Sequence, residues 1–278
     1  MKKINRRSFL AAAGLTAAAL ALTACGGSAS STASSTASSA ASSEAASTSA
    51  AAELTTVEAG KLTMATNATF PPYEMTTDSG EIEGIDVDTA KAIAEKLGLE
   101  LQIDDMDFDA ALLSVQQGKA DIVMAGVTVT DERKAVMDFS DSYATGIQSI
   151  IVPEGSDITS PDDLAGKKIG TQRGTTGYIY CSDDFGDDAV VAYDNGLTAV
   201  QALNNGQVDA VVIDNAPAKE FVAANPGLVI LETSYAEEDY AIGLAKASPL
   251  EDAVNAALEE LKADGTLQSI VDKYITAE

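Results

Sequence analysis

Residues 125–133 read Ala-Gly-Val-Thr-Val-Thr-Asp-Glu-Arg, and they join a predicted buried strand, Asp121 to Ala125, to a predicted helix. Gly126 ends the apolar run, because a residue without Cβ lets the backbone turn and a ligand approach. Thr130 is a capping residue, and acids of a first helical turn follow it. Arg133 falls in that turn, so its guanidinium and the free helix amides could together bind a carboxylate. An ordinary strand–loop–helix junction with a solvated arginine would have the same sequence.

Outward from this stretch, strands and helices alternate, which predicts an α/β layer with a largely parallel sheet. Strands are predicted at 61–65, 101–103, 121–125, 147–152, 168–170, 209–213, 228–231 and 240–245. Helices are predicted at 86–97, 108–117, 160–164, 195–205, 216–224, 249–262 and 266–274, and a glycine-rich turn at 173–177 leads into a further helix. The first helix has Asp86 or Asp88 as its predicted cap and ends at Gly98. The Pro71-Pro72 pair predicts a loop over 67–73.

The chain contains one internal echo. Residues 113–123 and 200–211 each combine a helix end, a glycine, two linker residues, an aspartate and a strand. The first copy leads to Ala125-Gly126 and the second to Asp214-Asn215. Ligands of open α/β sheets bind outside the carboxyl ends of strands, so two such units facing each other would form a cleft. The similarity of generic α/β sequences is the alternative explanation.

The N-terminal residues are typical of an exported lipoprotein. Residues 1–25 combine a basic segment, an apolar segment from Phe9 to Leu22 and a lipobox ending at Cys25, which predicts a lipoprotein signal peptide with Cys25 lipidated. Residues 5–10 also resemble a twin-arginine export signal, so general secretion and twin-arginine export are both open. Residues 26–53 are almost all Ser, Ala, Thr and Gly, which predicts a disordered tether.

Composition excludes several classes of protein. Loss of the four positive charges in the signal leaves 13 basic against 43 acidic residues, a formal charge of −30. Such acidity argues against nucleic-acid binding and against adhesion to an anionic membrane. The sequence has no histidine, which excludes Ser-His-Asp and Cys-His enzymes and histidine-containing metal sites. Lipidation of Cys25 would also exclude a disulfide to Cys181, the second of the two cysteines.

Several motifs together resemble the family 3 extracytoplasmic solute-binding proteins, the amino-acid receptors of ABC importers. The resemblance covers nearly all of residues 54–278. The motifs are Ala65 to Glu74, Gly84 to Asp88, Met106 to Phe108, the opening stretch continued into Met137 to Asp141, and Val208 to Asp214.

The resemblance implies an α/β fold of the type II periplasmic-binding-protein class, with two α/β lobes joined by two hinge strands that close on ligand. It places lobe 1 at 54–142 plus 243–278, lobe 2 at 148–236, and the hinge strands at 143–147 and 237–242.

The resemblance also implies how a free amino acid is held. Arg133 would bind the α-carboxylate, and Asp214, from the opposite lobe, would bind the ammonium. The groups that complete the carboxylate contact lie near Ala125, Gly126, Thr128 and Thr176. The resulting partners are a free polar L-amino acid, with an amide or a basic side chain both open, and the permease subunits of an ABC importer. The membrane is contacted only through the lipid anchor. A monomer on the outer face of the cell membrane is expected, with no cofactor or metal.

The resemblance assigns the ligand side chain to Asn67, Phe70 and Phe108, and it assigns Gln172 to a contact with either the ligand backbone or the ligand side chain. Asn67 stands where some members that bind basic or amide side chains have an aspartate, which weakens the case for lysine or arginine. Arg133 and Asp214 already neutralise a zwitterion, so an uncharged polar side chain leaves no charge unpaired. Glu74 could supply a compensating acid, although the sequence does not show where it points.

Two other functions are compatible with the same family likeness. A few relatives resemble periplasmic dehydratases of prephenate-like substrates, which need a general acid beside a leaving hydroxyl. The sequence places no acid for that role beyond the amino-acid contacts. The second is a sensor module. The sequence therefore predicts a receptor rather than an enzyme.

Overall fold

The computed structural model describes residues 54–275, so the predicted signal peptide, the tether and Cys25 lie outside the described residues. The strands are β1 Lys61–Thr66, β2 Thr69–Phe70, β3 Glu74–Thr76, β4 Ile82–Glu83, β5 Glu100–Asp105, β6 Ile122–Val123, β7 Met137–Pro153, β8 Ile169–Gln172, β9 Val190–Tyr193, β10 Ala210–Asp214, β11 Leu228–Ile230 and β12 Ala236–Ala245. The α-helices are α1 Ile85–Leu97, α2 Phe108–Gln116, α3 Asp131–Lys134, α4 Thr176–Phe185, α5 Gly196–Asn204, α6 Asn215–Ala224, α7 Glu251–Ala263 and α8 Thr266–Tyr274. Short 3-10 helices lie at Pro161–Leu164 and Asp187–Ala189.

The main sheet has the strand order β5-β1-β6-β12-β7-β10-β8-β9, and β11 pairs with β7. At one end β5, β1 and β6 are parallel, and at the other end β10, β8 and β9 are parallel. Between them β12 and β7 run antiparallel to each other and to their outer neighbours. The prediction of a largely parallel sheet is therefore wrong for its centre. Two parallel α/β halves joined by two long strands form the two-lobed fold.

The two central strands are longer than the sequence indicates. β7 has 17 residues and β12 has 10, and they pair from Ala236 opposite Gln148 to Ala245 opposite Met137. Two register shifts around Ala241 interrupt this pairing. The predicted strands at 147–152 and 240–245 are only parts of them, because pairing between distant segments extends each strand beyond its apolar run. The predicted hinge strands lie within this pair, and the lobe boundaries stay a prediction.

The start of α1 corrects the predicted cap. Its N-cap is Gly84 rather than Asp86 or Asp88, and the helix ends at Gly98 as predicted. Asp86 is fully buried and accepts a hydrogen bond from the Gly126 amide at 2.9 Å. Asp88 instead accepts a hydrogen bond from Lys273 Nζ at 2.7 Å. Both carboxylates are thus used for tertiary contacts.

The internal echo corresponds to two equivalent structural units, α2–β6 and α5–β10. Asp121 accepts a hydrogen bond from the Thr63 amide at 2.8 Å, and Asp209 accepts one from the Lys168 amide at 2.7 Å. Each aspartate thereby fixes the beginning of the strand that pairs in parallel with its own: β1 in one half and β8 in the other. The repeated Gly-x-x-Asp pattern thus has the same structural role twice.

The segment predicted as a loop over 67–73 contains β2, which pairs with β3 in a separate three-stranded sheet with β4. A two-residue strand has too little pattern to be seen in the sequence. The four-residue strand β9, Val190–Tyr193, was also missed. In contrast, the predicted strand at 121–125 shortens to β6. No helix within residues 54–275 is long and apolar enough to cross a membrane.

Candidate functional site

One cavity is formed where the carboxyl ends of strands from both halves of the sheet meet. Asn67 follows β1, Ala125 and Gly126 follow β6, Gln172 ends β8 and Asp214 ends β10. All ten residues predicted for substrate binding line this cavity, together with Glu74 and Thr175. The lining residues are Asn67, Phe70, Glu74, Phe108, Ala125, Gly126, Thr128, Arg133, Gln172, Thr175, Thr176 and Asp214.

Arg133 is held by the short helix α3. Thr130 caps that helix as predicted, because its hydroxyl accepts a hydrogen bond from the Arg133 amide at 3.2 Å. Arg133 is only 8% exposed. Its guanidinium donates to the carbonyl oxygens of Thr128 at 2.7 Å and Gly174 at 3.1 Å. It lies over the Phe108 ring, 5.4 Å from the centroid.

The guanidinium has no acidic partner at ion-pair distance. No carboxylate among residues 54–275 lies within 4.0 Å of it. Burial is the main influence on this group and lowers the pKa of Arg133, although arginine stays charged in proteins. A buried cation without an ion pair is a strong attractor for an anion.

The loop between β6 and α3 is shaped by Gly126. Its φ is +56°, and a Cβ at this position would lie 2.8 Å from the Phe70 ring. A larger residue would therefore displace that ring. The Gly126 amide, however, already donates to Asp86 at 2.9 Å. It does not face the cavity as a free donor, which differs from the expected carboxylate contact by amides near Gly126.

Asp214 belongs to a buried polar network on the opposite wall. Gln148 Nε2 donates to Asp214 at 2.8 Å and to Glu238 at 3.0 Å. Glu238 also accepts hydrogen bonds from the hydroxyls of Thr176 at 2.9 Å and Thr128 at 3.1 Å. Burial raises the pKa of Asp214 to about 7. The network places one acidic group directly at the cavity and a second one just behind it, and one oxygen of each has no hydrogen-bond partner among the described residues.

Sequence reasoning missed Gln148 and Glu238. Gln148 is 1% exposed and Glu238 is 7% exposed, and they lie in β7 and β12, close in register. A polar residue inside the apolar run of 147–152 was the available signal for Gln148. Nothing in the sequence placed Glu238 beside it, because their proximity depends on the pairing of two strands about 90 residues apart.

Asn67 and Gln172 bind each other across the cavity. Gln172 Nε2 donates to Asn67 Oδ1 at 3.0 Å, and the same oxygen accepts from the Thr69 hydroxyl at 2.9 Å. Asn67 Nδ2 donates to the Met106 carbonyl at 2.9 Å. The Asn67 side-chain oxygen therefore accepts two hydrogen bonds within the protein, and its nitrogen donates one. The two predicted side-chain contacts form a direct bridge between the two halves of the sheet.

Glu74 is the lining residue that the sequence left unplaced. It is fully buried, and neither carboxyl oxygen accepts a hydrogen bond from any described residue. Burial, followed by the charge of Asp86, raises the pKa of Glu74 well above its usual range. Within residues 54–275, no cluster of acidic or cysteine side chains is arranged to hold a metal ion.

Known proteins match nearly the whole of this chain. Residues 62–277 match the bacterial extracellular solute-binding proteins, family 3. The chain is 32% identical over 283 residues to a probable histidine-binding protein of Neisseria gonorrhoeae, covering 99% of this chain and 98% of that protein. The arginine-, lysine-, histidine-binding protein ArtJ of Geobacillus stearothermophilus superposes with a TM-score of 0.75 at 35% identity, covering 78% and 96% of the two chains. An ancestral arginine-binding protein bound to glutamine gives a TM-score of 0.75 at 43% identity, covering 78% and 99%.

Proposed function

Because this chain belongs to the bacterial extracellular solute-binding proteins of family 3, we propose that it captures a free amino acid in the cavity and delivers it to an ABC importer. The observation that carries the proposal is the pair Arg133 and Asp214. They are a buried cation and a buried acid on opposite walls of one cavity. A free α-amino acid at neutral pH has one carboxylate and one ammonium, and it would compensate both groups at once.

The contacts available to the ligand explain useful affinity. Arg133 would bind the α-carboxylate with support from the hydroxyls of Thr128 and Thr176, and Asp214 would bind the ammonium. Each charge-assisted hydrogen bond contributes about 1.5–3 kcal/mol net. Three or four of them, less the cost of closing the lobes, correspond to micromolar or tighter binding, about −8 kcal/mol.

The ligand would couple the two lobes, since Arg133 lies on the lobe that contains β6 and Asp214 on the lobe that contains β10. We place the lobes at 54–142 plus 243–278 and at 148–236, with hinge strands at 143–147 and 237–242. An open form would offer the ligand only half of these contacts. The difference in affinity between the open and closed forms is what drives closure.

The named relatives support an α-amino acid as the ligand class. One is named for histidine, one for arginine, lysine and histidine, and an ancestral arginine-binding protein holds glutamine. These ligands differ in the side chain and share the zwitterionic end. Prephenate itself has no ammonium for Asp214, so the binding function is favoured over a prephenate dehydratase. Turnover of prephenate or arogenate by the purified protein would contradict this choice.

A thermal-shift screen of the purified protein over the twenty amino acids tests the proposal. A bound amino acid at 100-fold excess over its Kd should stabilise the fold by about 2.7 kcal/mol and raise the Tm. The corresponding amine and the corresponding carboxylic acid, each lacking one half of the zwitterion, should give no shift. Absence of a shift with all twenty amino acids would contradict the proposed function.

We further propose that Cys25 anchors the protein by lipidation to the outer face of the membrane, with residues 26–53 as the tether. Metabolic labelling with a palmitate analogue tests this part separately. The label should enter the wild-type chain and be lost in Cys25→Ala, which should be released from the membrane fraction. Labelling of the Cys181→Ala variant should be unchanged, and membrane retention of an unlabelled Cys25→Ala chain would contradict the anchor.

A further inference from the structure

Asp214 and Tyr240 each have one buried polar atom without a hydrogen-bond partner among the described residues. These atoms are Oδ1 of Asp214 and the Tyr240 hydroxyl. Tyr240 is completely buried, and Asp214 is 7% exposed. A phenol can donate a hydrogen bond and a carboxylate oxygen can accept one, and leaving either group unpaired in the interior is unfavourable. Each atom is thus a suitable partner for the other.

Gly146 brings the two groups together. It lies in β7, opposite Glu238 of β12. A Cβ on Gly146 would lie 2.6 Å from Cζ of Tyr240, the atom that carries the hydroxyl, and 2.8 Å from Oδ1 of Asp214. Any side chain at this position would therefore contact both groups. The absence of a side chain leaves the phenol within hydrogen-bonding reach of the carboxyl group.

The ring of Tyr240 is held in place by its neighbours. A Cβ on Gly126 would lie 3.3 Å from one edge of the ring, and Gly146 lies against another. Tyr73 packs edge-on against it, with the ring centroids 5.3 Å apart. The Tyr240 backbone is paired with Ala144 of β7. The hydroxyl oxygen therefore has a fixed position beside Asp214.

We propose that Tyr240 is a positioning residue for ammonium binding: its hydroxyl donates to Oδ1 of Asp214 and holds the charged carboxyl group at the cavity. The inference rests on the proposed contact between Asp214 and the ligand ammonium. Gln148 Nε2 donates to the other oxygen, Oδ2, at 2.8 Å. One donor on each oxygen fixes the plane of the carboxyl group, and each oxygen keeps a lone pair for the ligand.

The pKa shifts agree with this role. Burial raises the pKa of Asp214 to about 7, and the donors Tyr240 and Gln148 oppose that rise. Burial also raises the pKa of Tyr240 well above its usual range, so the phenol keeps its proton at neutral pH. A donor that keeps its proton stabilises the ionised form of a carboxyl group. The hydroxyl should therefore favour both the direction and the charge of Asp214.

Other titratable groups also act on this carboxyl group, but none of them replaces the phenol. Those that influence Asp214 or are influenced by it are the acids Glu238 and Glu74, the phenol Tyr73 and the guanidinium of Arg133. Their influence is that of charge, whereas Tyr240 acts through a hydrogen bond. Removal of its hydroxyl should therefore change the titration of Asp214 while these charges stay in place.

The ligand-free protein tests the hydrogen bond itself. In protein labelled with carbon-13 at tyrosine Cζ, the Tyr240 signal is the one of eight that Tyr240→Phe removes. Its chemical shift should change with a midpoint near pH 7 as Asp214 is protonated, and Asp214→Asn should abolish this transition. A signal that does not move near this pH, or a transition that persists in Asp214→Asn, would overturn the inference.

Binding of glutamine, the neutral amino acid held by the ancestral relative, measures the consequence for the ligand. Without the hydroxyl, Asp214 is protonated more readily, so the pH below which the Kd rises should move up by about one unit in Tyr240→Phe. At pH 6 the Kd should be about tenfold higher than in the wild type, and at pH 8.5 the two should agree within about threefold. An equal loss at both pH values would indicate a merely structural role and contradict the inference.

Tyr274→Phe is the matched control, because this phenol also donates to an aspartate, Asp88, at 2.9 Å. It lies on α8, outside the cavity, and its removal should leave the pH dependence of glutamine binding unchanged. An unchanged midpoint in a Tyr240→Phe protein that binds glutamine contradicts only this inference. Failure of every amino acid to bind the wild-type protein contradicts the proposed function and the positioning role with it.

Discussion

The two ends of the cavity differ in how completely the protein satisfies its own polar groups. At one end, Asp214 and Glu238 share the donor Gln148, and two threonine hydroxyls also donate to Glu238, so that one oxygen of each carboxyl group accepts hydrogen bonds and the other has no partner among the described residues. At the other end, Glu74 has no donor among the described residues and faces the cavity beside Phe70. A network whose acids already have donors suits the part of a ligand that never varies, its zwitterionic end. An acid left without donors can still accept hydrogen bonds from a ligand at the other end of the cavity.

The largest expected effect comes from the end of the cavity that would bind the carboxylate and ammonium of the ligand. Arg133→Met should weaken the binding of every amino acid by at least roughly 1,000-fold, because it removes a buried charged partner of the carboxylate and leaves that carboxylate unpaired. Isothermal titration with several amino acids measures the loss. Arg173→Met is the matched control, since this arginine is 57% exposed and lies 3.7 Å from Asp194. If the Arg133 variant retains its affinity, Arg133 does not bind the ligand carboxylate.

A smaller loss is expected from Asp214→Asn, about 100-fold for all amino acids alike. The wild-type pKa of about 7 also predicts a pH effect. Below that pH Asp214 is protonated, and the ligand ammonium must displace the proton. The Kd for a neutral amino acid should therefore rise about tenfold for each pH unit below roughly 7.

This pH dependence should flatten in Asp214→Asn and persist in Asp183→Asn, a control on the exposed surface of α4. Titrations of one neutral amino acid over the range from neutral to acidic pH give both measurements. A Kd that is independent of pH in the wild-type protein would mean that Asp214 does not bind the ammonium.

The smallest effect is expected at the bridge between the two halves. Gln172→Ala removes the 3.0 Å hydrogen bond to Asn67 and should weaken binding about fivefold, because one hydrogen bond contributes about 1 kcal/mol. The loss should be the same for every amino acid that binds if Gln172 acts through closure alone. Gln201→Ala, exposed on α5, is the control. A loss confined to one ligand would mean that Gln172 contacts the ligand side chain instead.

The features that the sequence predicted well are local ones. Thr130 caps α3 in the structure, and both Gly-x-x-Asp units are followed by the strands expected of them. Helix α8 has the predicted bounds, because its amphipathic pattern lies between a glycine and the C-terminus. In each case the deciding interaction lies within a few residues, so the local pattern contains the necessary information.

The features that were wrong or missed depend on distant pairing. Asp86 was expected to cap a helix and instead binds the Gly126 amide, 40 residues away. Glu238 becomes part of the site because β12 pairs with β7. The direction of the Glu74 side chain depends on the contact between β3 and the start of α1. No periodicity or spacing in one sequence reports such contacts.

The position of β12 between β6 and β7 also fixes when the chain can finish folding. The half of the sheet that contains β1, β5 and β6 uses the first third of the folded chain, yet β12 must pair with β6 to complete it. Lys273 then binds Asp88 from 185 residues away. A chain that emerges N-terminus first therefore cannot close its earliest half until nearly its last residue has appeared, whereas most of the other half is contiguous. Contacts of such long range slow folding, so we expect the half that contains β1, β5 and β6 to complete its native pairing last, although it is made before the other half.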